Sequence, residues 1–288
     1  MNKNRLPEWL KKPYTPAGEK VNVDEILGDL GLNTVCLEAS CPNHSECFHD
    51  GTATLMIMGK NCTRNCRFCG VTFAAPQPLE PDETKRVGQA VKRLALDYVV
   101  VTSVTRDDLP DGGAAFFAET VREIRLQSPE TKIEVLIPDF LGDPAALRVV
   151  IEACPDVISH NMETVRQLYS AVRPEADYGR SLELIRQVSA SGTGIHSKSG
   201  MMLGVVETDE QVIELFDDLR AAGCEFLTIG QYLSPSAENI PVSEFVPPLK
   251  FDRWAEIARE KGFVFVASAP FARSSYHAGE AFANEVVE

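Results

Sequence analysis

The run Tyr98–Val104 (YVVVTSV) is continuous, apolar and rich in β-branched residues, as a strand covered on both faces requires. Just before it, Thr84–Ala95 carries Val87, Ala90, Val91 and Leu94 at helical spacing. Just after it, Ala114–Leu126 repeats that pattern with Phe117, Val121, Ile124 and Arg125 in register. Lys132–Ile137 (KIEVLI) reads as the next strand, and Pro144–Ala153 as a helix with Asp143 as its N-cap. Strands that alternate with helices in this way build parallel β/α units.

The alternation extends in both directions. Upstream, Thr52–Met58 (TATLMIM) is a strand. Downstream, strands are predicted at Val157–Asn161, within Thr193–Leu203, at Phe226–Gly230 and at Phe263–Ala267. Helices fall near Val165–Val172, Leu182–Ala190, Asp209–Ala221 and Asp252–Lys261. Gly223 follows Asp209–Ala221 as a C-cap glycine would. Some seven strands result, in a chain too short for a full eight-unit barrel of about 250 residues once its leading arm is set aside. The prediction is an α/β fold, a partial, open (β/α)6-type TIM barrel over residues 51–270. An arm of residues 1–50 precedes it, with little apolar periodicity and one short helix at Val23–Leu30. A tail of residues 271–288 follows. In such folds chemistry gathers at the C-terminal ends of the strands. Polar residues stand there: Thr102, Ser103, Arg106–Asp108, Asn161, Glu163, Lys198 and Gln231.

The 288 residues include 28 Lys and Arg against 42 Asp and Glu, a net charge of −14. That balance argues against broad binding to nucleic acid or anionic membranes. No apolar run approaches the ~20 residues of a membrane span, and Met1–Tyr14 does not read as a secretory signal. A cytoplasmic location is expected. In that reducing setting, closely spaced cysteines are more often metal ligands or redox groups than disulfides.

Six of the eight cysteines form two triads. Cys62, Cys66 and Cys69 have C-x3-C-x2-C spacing in the loop after the first barrel strand. Three thiolates on a four-iron cluster leave one iron open to an exogenous molecule. Arg64 and Arg67 add positive charge that favours an anionic cluster. Cys36, Cys41 and Cys47 have C-x4-C-x5-C spacing in the arm and lack a local fourth ligand. Ligation there would help order the arm. Zinc is the main alternative, but structural zinc prefers paired C-x2–4-C knuckles with four ligands. Cys154 and Cys224 stand alone and read as core residues. His49, His160, His196 and His277 read as hydrogen-bonding or packing residues, while His44 lies within the arm triad's segment.

The C-x3-C-x2-C loop of a partial barrel resembles the radical S-adenosylmethionine superfamily. The arm triad narrows the resemblance to its lipoyl synthase family. Further segments agree, among them Thr102–Gly113 (TSVTRDDLPDGG), His160–Val165 (HNMETV), Lys198–Gly204 (KSGMMLG), Leu227–Tyr232 (LTIGQY) and Arg273–Tyr276 (RSSY). Ser159 and Thr105 depart from the usual asparagine and aspartate, and Thr72–Pro81 is a shortened variant of a proline-rich segment.

The resemblance implies two [4Fe–4S] clusters and S-adenosylmethionine. Cys62, Cys66 and Cys69 would hold the cluster that binds and reduces S-adenosylmethionine. Cys36, Cys41 and Cys47 would hold an auxiliary cluster, completed by Ser275 with Ser274 as the alternative. Asn161, Glu163 and Lys198 are candidates to contact S-adenosylmethionine or to order the site. The implied reaction takes hydrogen from C6 and C8 of a protein-bound octanoyl chain, and the auxiliary cluster gives up two sulfur atoms. The implied partners are octanoylated 2-oxoacid dehydrogenase E2 domains and the glycine cleavage H protein, a ferredoxin- or flavodoxin-type reductant, and an iron–sulfur carrier. Other sulfur-inserting radical enzymes, of biotin synthase or methylthiotransferase type, are the nearest alternatives. An RNA substrate would favour an appended basic domain, which the charge argues against.

Overall fold

The computed structural model describes residues 6–11, 23–38, 41, 43, 54–275 and 279–283. Ten strands lie within them: β1 (Asn33–Thr34), β2 (Thr54–Ile57), β3 (Asn61–Cys62), β4 (Thr72–Phe73), β5 (Tyr98–Ser103), β6 (Lys132–Leu136), β7 (Val157–Ser159), β8 (His196–Leu203), β9 (Phe226–Gln231) and β10 (Phe265–Ser268). Eight form one sheet in the order β1-β2-β5-β6-β7-β8-β9-β10. From β2 to β10 every neighbouring pair is parallel, while β1 is antiparallel with Asn33 opposite Met56. The sheet is therefore the predicted open barrel, with β10 as a further parallel strand at one edge and an arm strand at the other.

Strand pleating sorts the side chains. Leu55, Ile57, Val99, Val101, Ile133 and Val135 face outward and pack with Val87, Val91, Phe117 and Val121 of the helices. Met201, Leu203, Leu227 and Ile229 do the same with Leu215, Phe216, Phe251 and Trp254. Each such buried Val, Leu or Phe side chain contributes roughly 1.5–3 kcal/mol of transfer free energy. The alternate residues Thr54, Thr102, Glu134, Lys198, Gly200 and Thr228 are left for the interior of the sheet. The apolar run of β5 is thus covered on one face by helices and on the other by the cavity.

Helices Glu83–Leu94, Ala114–Gln127, Pro144–Glu152, Tyr178–Ser189, Asp209–Ala221 and Pro248–Glu260 connect successive parallel strands. Asp143 caps the third of these by accepting from Ala145 N at 2.8 Å. Gly223, at φ +82, ends Asp209–Ala221 in the left-handed region that glycine favours.

Three expectations are corrected. The strand predicted over Val157–Asn161 ends at Ser159, where His160 turns its ring between Ile137 O and Ser181 Oγ. The helix predicted over Val165–Val172 is a 3-10 turn, Arg166–Leu168, followed by one α-turn, Tyr169–Val172, and Pro174 prevents its continuation. Cys154 is exposed rather than core, because it lies just past a helix end at φ +54. Cys224 is buried as expected.

The described parts of the arm and tail pack against the barrel. Val23 and Leu27 of helix Val23–Asp29 join the core of helix Glu83–Leu94, and Arg86 donates to Leu30 O at 2.6 Å. At the opposite end of the chain, Phe282 meets the rings of Tyr98, His196 and Phe226, which begin β5, β8 and β9. The tail therefore also reaches the floor of the barrel, away from the mouth where the strands end.

Candidate active site

The β3–β4 ladder pairs Asn61 with Thr72 and Cys62 with Phe73, closing the loop that carries the C-x3-C-x2-C cysteines. Neighbouring segments fasten it: Thr63 N donates to Thr105 O at 3.1 Å, and Arg67 N to Val172 O at 2.9 Å. A second loop clasps it from outside, with Ile240 N on Arg67 O at 3.0 Å and Asn239 Nδ2 on Cys69 O at 3.0 Å. Sequence reading missed this clasp, because nothing local in Ser234–Pro247 marks it. Backbone amides point at the sulfurs: Thr105 N and Arg64 N lie 3.3 and 3.5 Å from Cys62 Sγ, and Val71 N lies 3.4 Å from Cys69 Sγ. The variant residue Thr105 thus acts here through its backbone.

Burial pushes the Cys66 thiol up to about 11 and the Cys69 thiol up to about 12. The positive charge that offsets this at Cys66 comes from Arg173, not from Arg64. The Arg64 guanidinium is spent on Asp107, at 2.6 and 2.9 Å, and on buried Asp139 at 2.6 Å. Arg67 is exposed. Arg173 is held by Asn161 O and Tyr169 Oη, each at 2.7 Å, and its Nε has no partner among the described residues. Its position became visible only once β7 and helix Tyr169–Val172 were placed together.

In the arm, Cys36 is buried in the short helix Val35–Glu38, and its carbonyl accepts from Cys41 N at 3.1 Å. Burial raises the Cys36 thiol, and neighbouring Thr54 offsets part of that rise. Cys47 lies outside the described residues, as do His44 and His49. The tail comes to the same place. Asn43 Nδ2 donates to Phe271 O at 2.8 Å, and Thr54 Oγ1 donates to Ser275 Oγ at 2.6 Å. Close approach needs Gly230: a Cβ there would stand 2.2 Å from Ala272 O.

The other expected residues divide into two groups. Asn161 Nδ2 donates to Glu163 Oε1 at 2.9 Å and to Ser274 Oγ at 2.7 Å, while its Oδ1 has no partner among the described residues. Glu163 adopts φ +67, and burial raises its carboxyl despite nearby Arg173, Asn161 and Arg273. Lys198 is already engaged, donating to Glu134 Oε2 at 2.8 Å and Ser274 O at 2.6 Å. Gln231 is likewise committed: its Nε2 donates to Leu203 O, Tyr232 O and Glu244 O, and its Oε1 accepts from Val246 N. Arg106 is bound to Asp108 at 2.8 Å and to Met58 O at 3.3 Å.

One cavity of about 500 Å³ is bordered by the five described cysteines of both triads and by Ser274 and Ser275. Asn161, Glu163, Arg173 and Arg273 border it too. Among the described residues no three His, Cys, Asp or Glu side chains converge on a site for a single ion. A four-iron cluster has a wider ligand set, with its thiolates spread over separate irons. Soft thiols that receive backbone N–H groups at one wall, with unpartnered Asn161 Oδ1 and Arg173 Nε beside them, fit such a cluster and a polar ligand on its open iron.

Comparison with known proteins agrees. Residues 56–219 match the radical SAM superfamily. Lipoyl synthase of Caldanaerobacter subterraneus is 54% identical over 275 residues, covering 95% of this chain and 96% of the relative. Lipoyl synthase of Geobacter sulfurreducens is 53% identical over 278 residues, covering 96% and 91%. This chain belongs to the lipoyl synthase family. Lipoyl synthase relatives match nearly end to end, whereas solved structures match over a smaller share of the chain. Methylornithine synthase superposes with a TM-score of 0.55 at 16% identity, over 72% of this chain and 62% of that one. The chain thus spans under two thirds of that enzyme's length, and the likeness speaks for the fold alone. As a lipoyl synthase family member, the chain uses S-adenosylmethionine and [4Fe–4S] clusters.

Proposed function

We propose that this chain inserts two sulfur atoms at C6 and C8 of a protein-bound octanoyl-lysine, as a sulfurtransferase that makes the lipoyl group. The observation that carries this reading is one cavity shared by the described cysteines of both triads and by the tail serines. Lone electron-transfer or zinc sites have no need of such shared space.

Cys62, Cys66 and Cys69 hold the cluster that takes S-adenosylmethionine, and Cys36, Cys41, Cys47 and Ser275 hold the auxiliary cluster. When bound, the first cluster with S-adenosylmethionine supplies the radical chemistry that removes hydrogen, and the second supplies sulfur. The amides on Cys62 and Cys69 stabilise sulfur as thiolate. Arg173 adds positive charge beside Cys66 and offers Nε to the cavity. Asn161 and Glu163 orient the polar end of S-adenosylmethionine, with Asn161 Oδ1 free to accept. Met56, Val100, Leu136 and Met202 give the acyl chain an apolar wall that excludes water.

Ser275 rather than Ser274 is the auxiliary ligand. Thr54, the neighbour that influences Cys36, donates to Ser275, whereas the Ser274 hydroxyl is taken by Asn161. A hard oxygen binds iron less firmly than a thiolate, so Ser275 is suited to let go as the cluster opens.

The working units are the arm (1–50), the barrel (51–270) and the tail (271–288). The carriers are octanoylated E2 domains and the glycine cleavage H protein, the electron donor is a ferredoxin or flavodoxin, and an iron–sulfur carrier rebuilds the auxiliary site. Among the described residues no helix is long and apolar enough to cross a membrane.

The test is anaerobic reconstitution followed by incubation with S-adenosylmethionine, dithionite and an octanoyl-lysine peptide. Mass spectrometry should find two sulfurs gained and two hydrogens lost. Iron and sulfide should each approach about eight per chain. Absence of sulfur insertion from fully loaded protein refutes the reading.

A further inference from the structure

Lys198 stands on β8 with its side chain buried inside the barrel. Its ammonium donates to Glu134 Oε2 on β6 at 2.8 Å and to Ser274 O at 2.6 Å. Tyr98 Oη, from β5, donates to the same Glu134 oxygen at 2.5 Å. A buried cation between a carboxylate and a carbonyl makes strong, directional hydrogen bonds.

The gripped carbonyl belongs to the peptide that joins Ser274 to Ser275. Asn161 holds the Ser274 hydroxyl at 2.7 Å. With that peptide plane and that side chain fixed, the neighbouring Ser275 side chain has little freedom left. It is directed to Thr54, beside Cys36. Two further contacts bring the tail to this point: Gln231 N donates to Pro270 O at 3.2 Å, and Ala272 O lies over Gly230.

We propose that Lys198 is a positioning residue for the auxiliary site: it clamps the Ser274–Ser275 peptide to the barrel wall so that the Ser275 oxygen meets the cluster. The inference rests on Ser275 as the auxiliary ligand. The ammonium's charge is matched by Glu134 inside the wall, so Lys198 serves the tail and not S-adenosylmethionine. Glu134 and Tyr98 form the back of the clamp, and through them three strands fix one peptide of the tail.

Lys198→Met alone strands a buried carboxylate, so the main variant pairs it with Glu134→Gln. Tyr98→Phe is the milder variant and keeps the ion pair. Each is made in the full chain beside Ser275→Ala and the parent, then reconstituted and assayed with S-adenosylmethionine, dithionite and the octanoyl-lysine peptide. Three quantities are read: iron per chain, the ratio of 5′-deoxyadenosine to lipoyl product, and amide exchange at residues 273–275.

The paired variant should lose about half its iron, the share of one of two equal clusters. Its ratio of 5′-deoxyadenosine to product and its exchange at residues 273–275 should each rise about tenfold, while β8 and β9 amides stay protected. Tyr98→Phe should raise the ratio about threefold, and it decides the matter if the paired variant does not fold. Full iron with an unchanged ratio, in the paired variant or in its stand-in, overturns the proposal. Loss of iron and of 5′-deoxyadenosine together also overturns it, since Lys198 would then serve the Cys62 site. Full product from Ser275→Ala overturns the reading of Ser275, and the clamp's purpose with it. A parent that makes no product overturns the function itself.

Discussion

Thr54 Oγ1 donates to Ser275 Oγ at 2.6 Å, joining residues 221 positions apart. Thr54 also neighbours Cys36, so one residue at the start of β2 stands between the arm and the tail. Thr54→Val keeps the shape and removes the hydroxyl. It should cost the metal-free chain about 1 kcal/mol, read by urea denaturation, and lower auxiliary iron loading. Unchanged loading would detach Thr54 from the site.

The serines can be told apart directly. Ser275→Ala should abolish lipoyl product, whereas Ser274→Ala should reduce it more mildly by loosening the contact with Asn161. Ser275→Cys should retain the auxiliary cluster yet form product more slowly, because a thiolate holds iron more firmly. Normal product from Ser275→Cys removes the argument that a weak ligand is required.

Gly230→Ala places a methyl 2.2 Å from Ala272 O, a backbone atom that no rotamer can move aside. The tail should lift while the barrel remains folded. Limited proteolysis should then cut after residue 268 at least tenfold faster, a change of about 1.4 kcal/mol in tail opening. Equal cleavage in the two proteins would mean that the tail is seated elsewhere.

Burial, aided by the nearby charge of Arg173, pushes the His160 imidazole down to about 4. The unfolded chain, with an imidazole near 6.5, therefore takes up the proton first as pH falls. Stability from this residue is complete above about pH 6.5 and is lost as pH falls toward about 4. Between pH 7 and pH 5 the loss is about 2 kcal/mol. His160→Gln should flatten that part of the profile in urea titrations, and an equally steep profile would contradict the assignment.

Cys154 and Cys224 should separate chemically. Cys154 is exposed, whereas burial pushes the Cys224 thiol up to about 12. Iodoacetamide on the folded, cluster-loaded protein should label Cys154 and spare Cys224, as peptide mapping can report. Labelling of Cys224 first would place it at the surface.

Much was legible in the chain itself. Continuous apolar, β-branched runs and helical spacing gave the order of strands and helices, because a strand covered on both faces and a helix with one covered face each impose a local pattern. Asp143 and Gly223 marked helix ends because capping is local too. The spacing of Cys62, Cys66 and Cys69 marked a ligand loop, since a short closed loop limits where three thiols can go. Family likeness, not spacing, pointed to the serine of the tail.

What tertiary structure alone decided are the pairings of long or distant side chains. Arg64 precedes Cys66 in the chain, yet Asp107 and Asp139 claim it, and Arg173 brings the charge instead. Lys198 looked like a group facing the mouth, yet Glu134 and Ser274 hold it inside the wall. Family likeness already preferred Ser275 to Ser274, and what Thr54 and Asn161 present to the two hydroxyls from elsewhere in the fold supports that proposal. The physical reason is the same in each case. Periodicity and capping act over one or two turns of chain, whereas a buried charge or hydroxyl takes whichever partner the closed barrel brings within 3 Å.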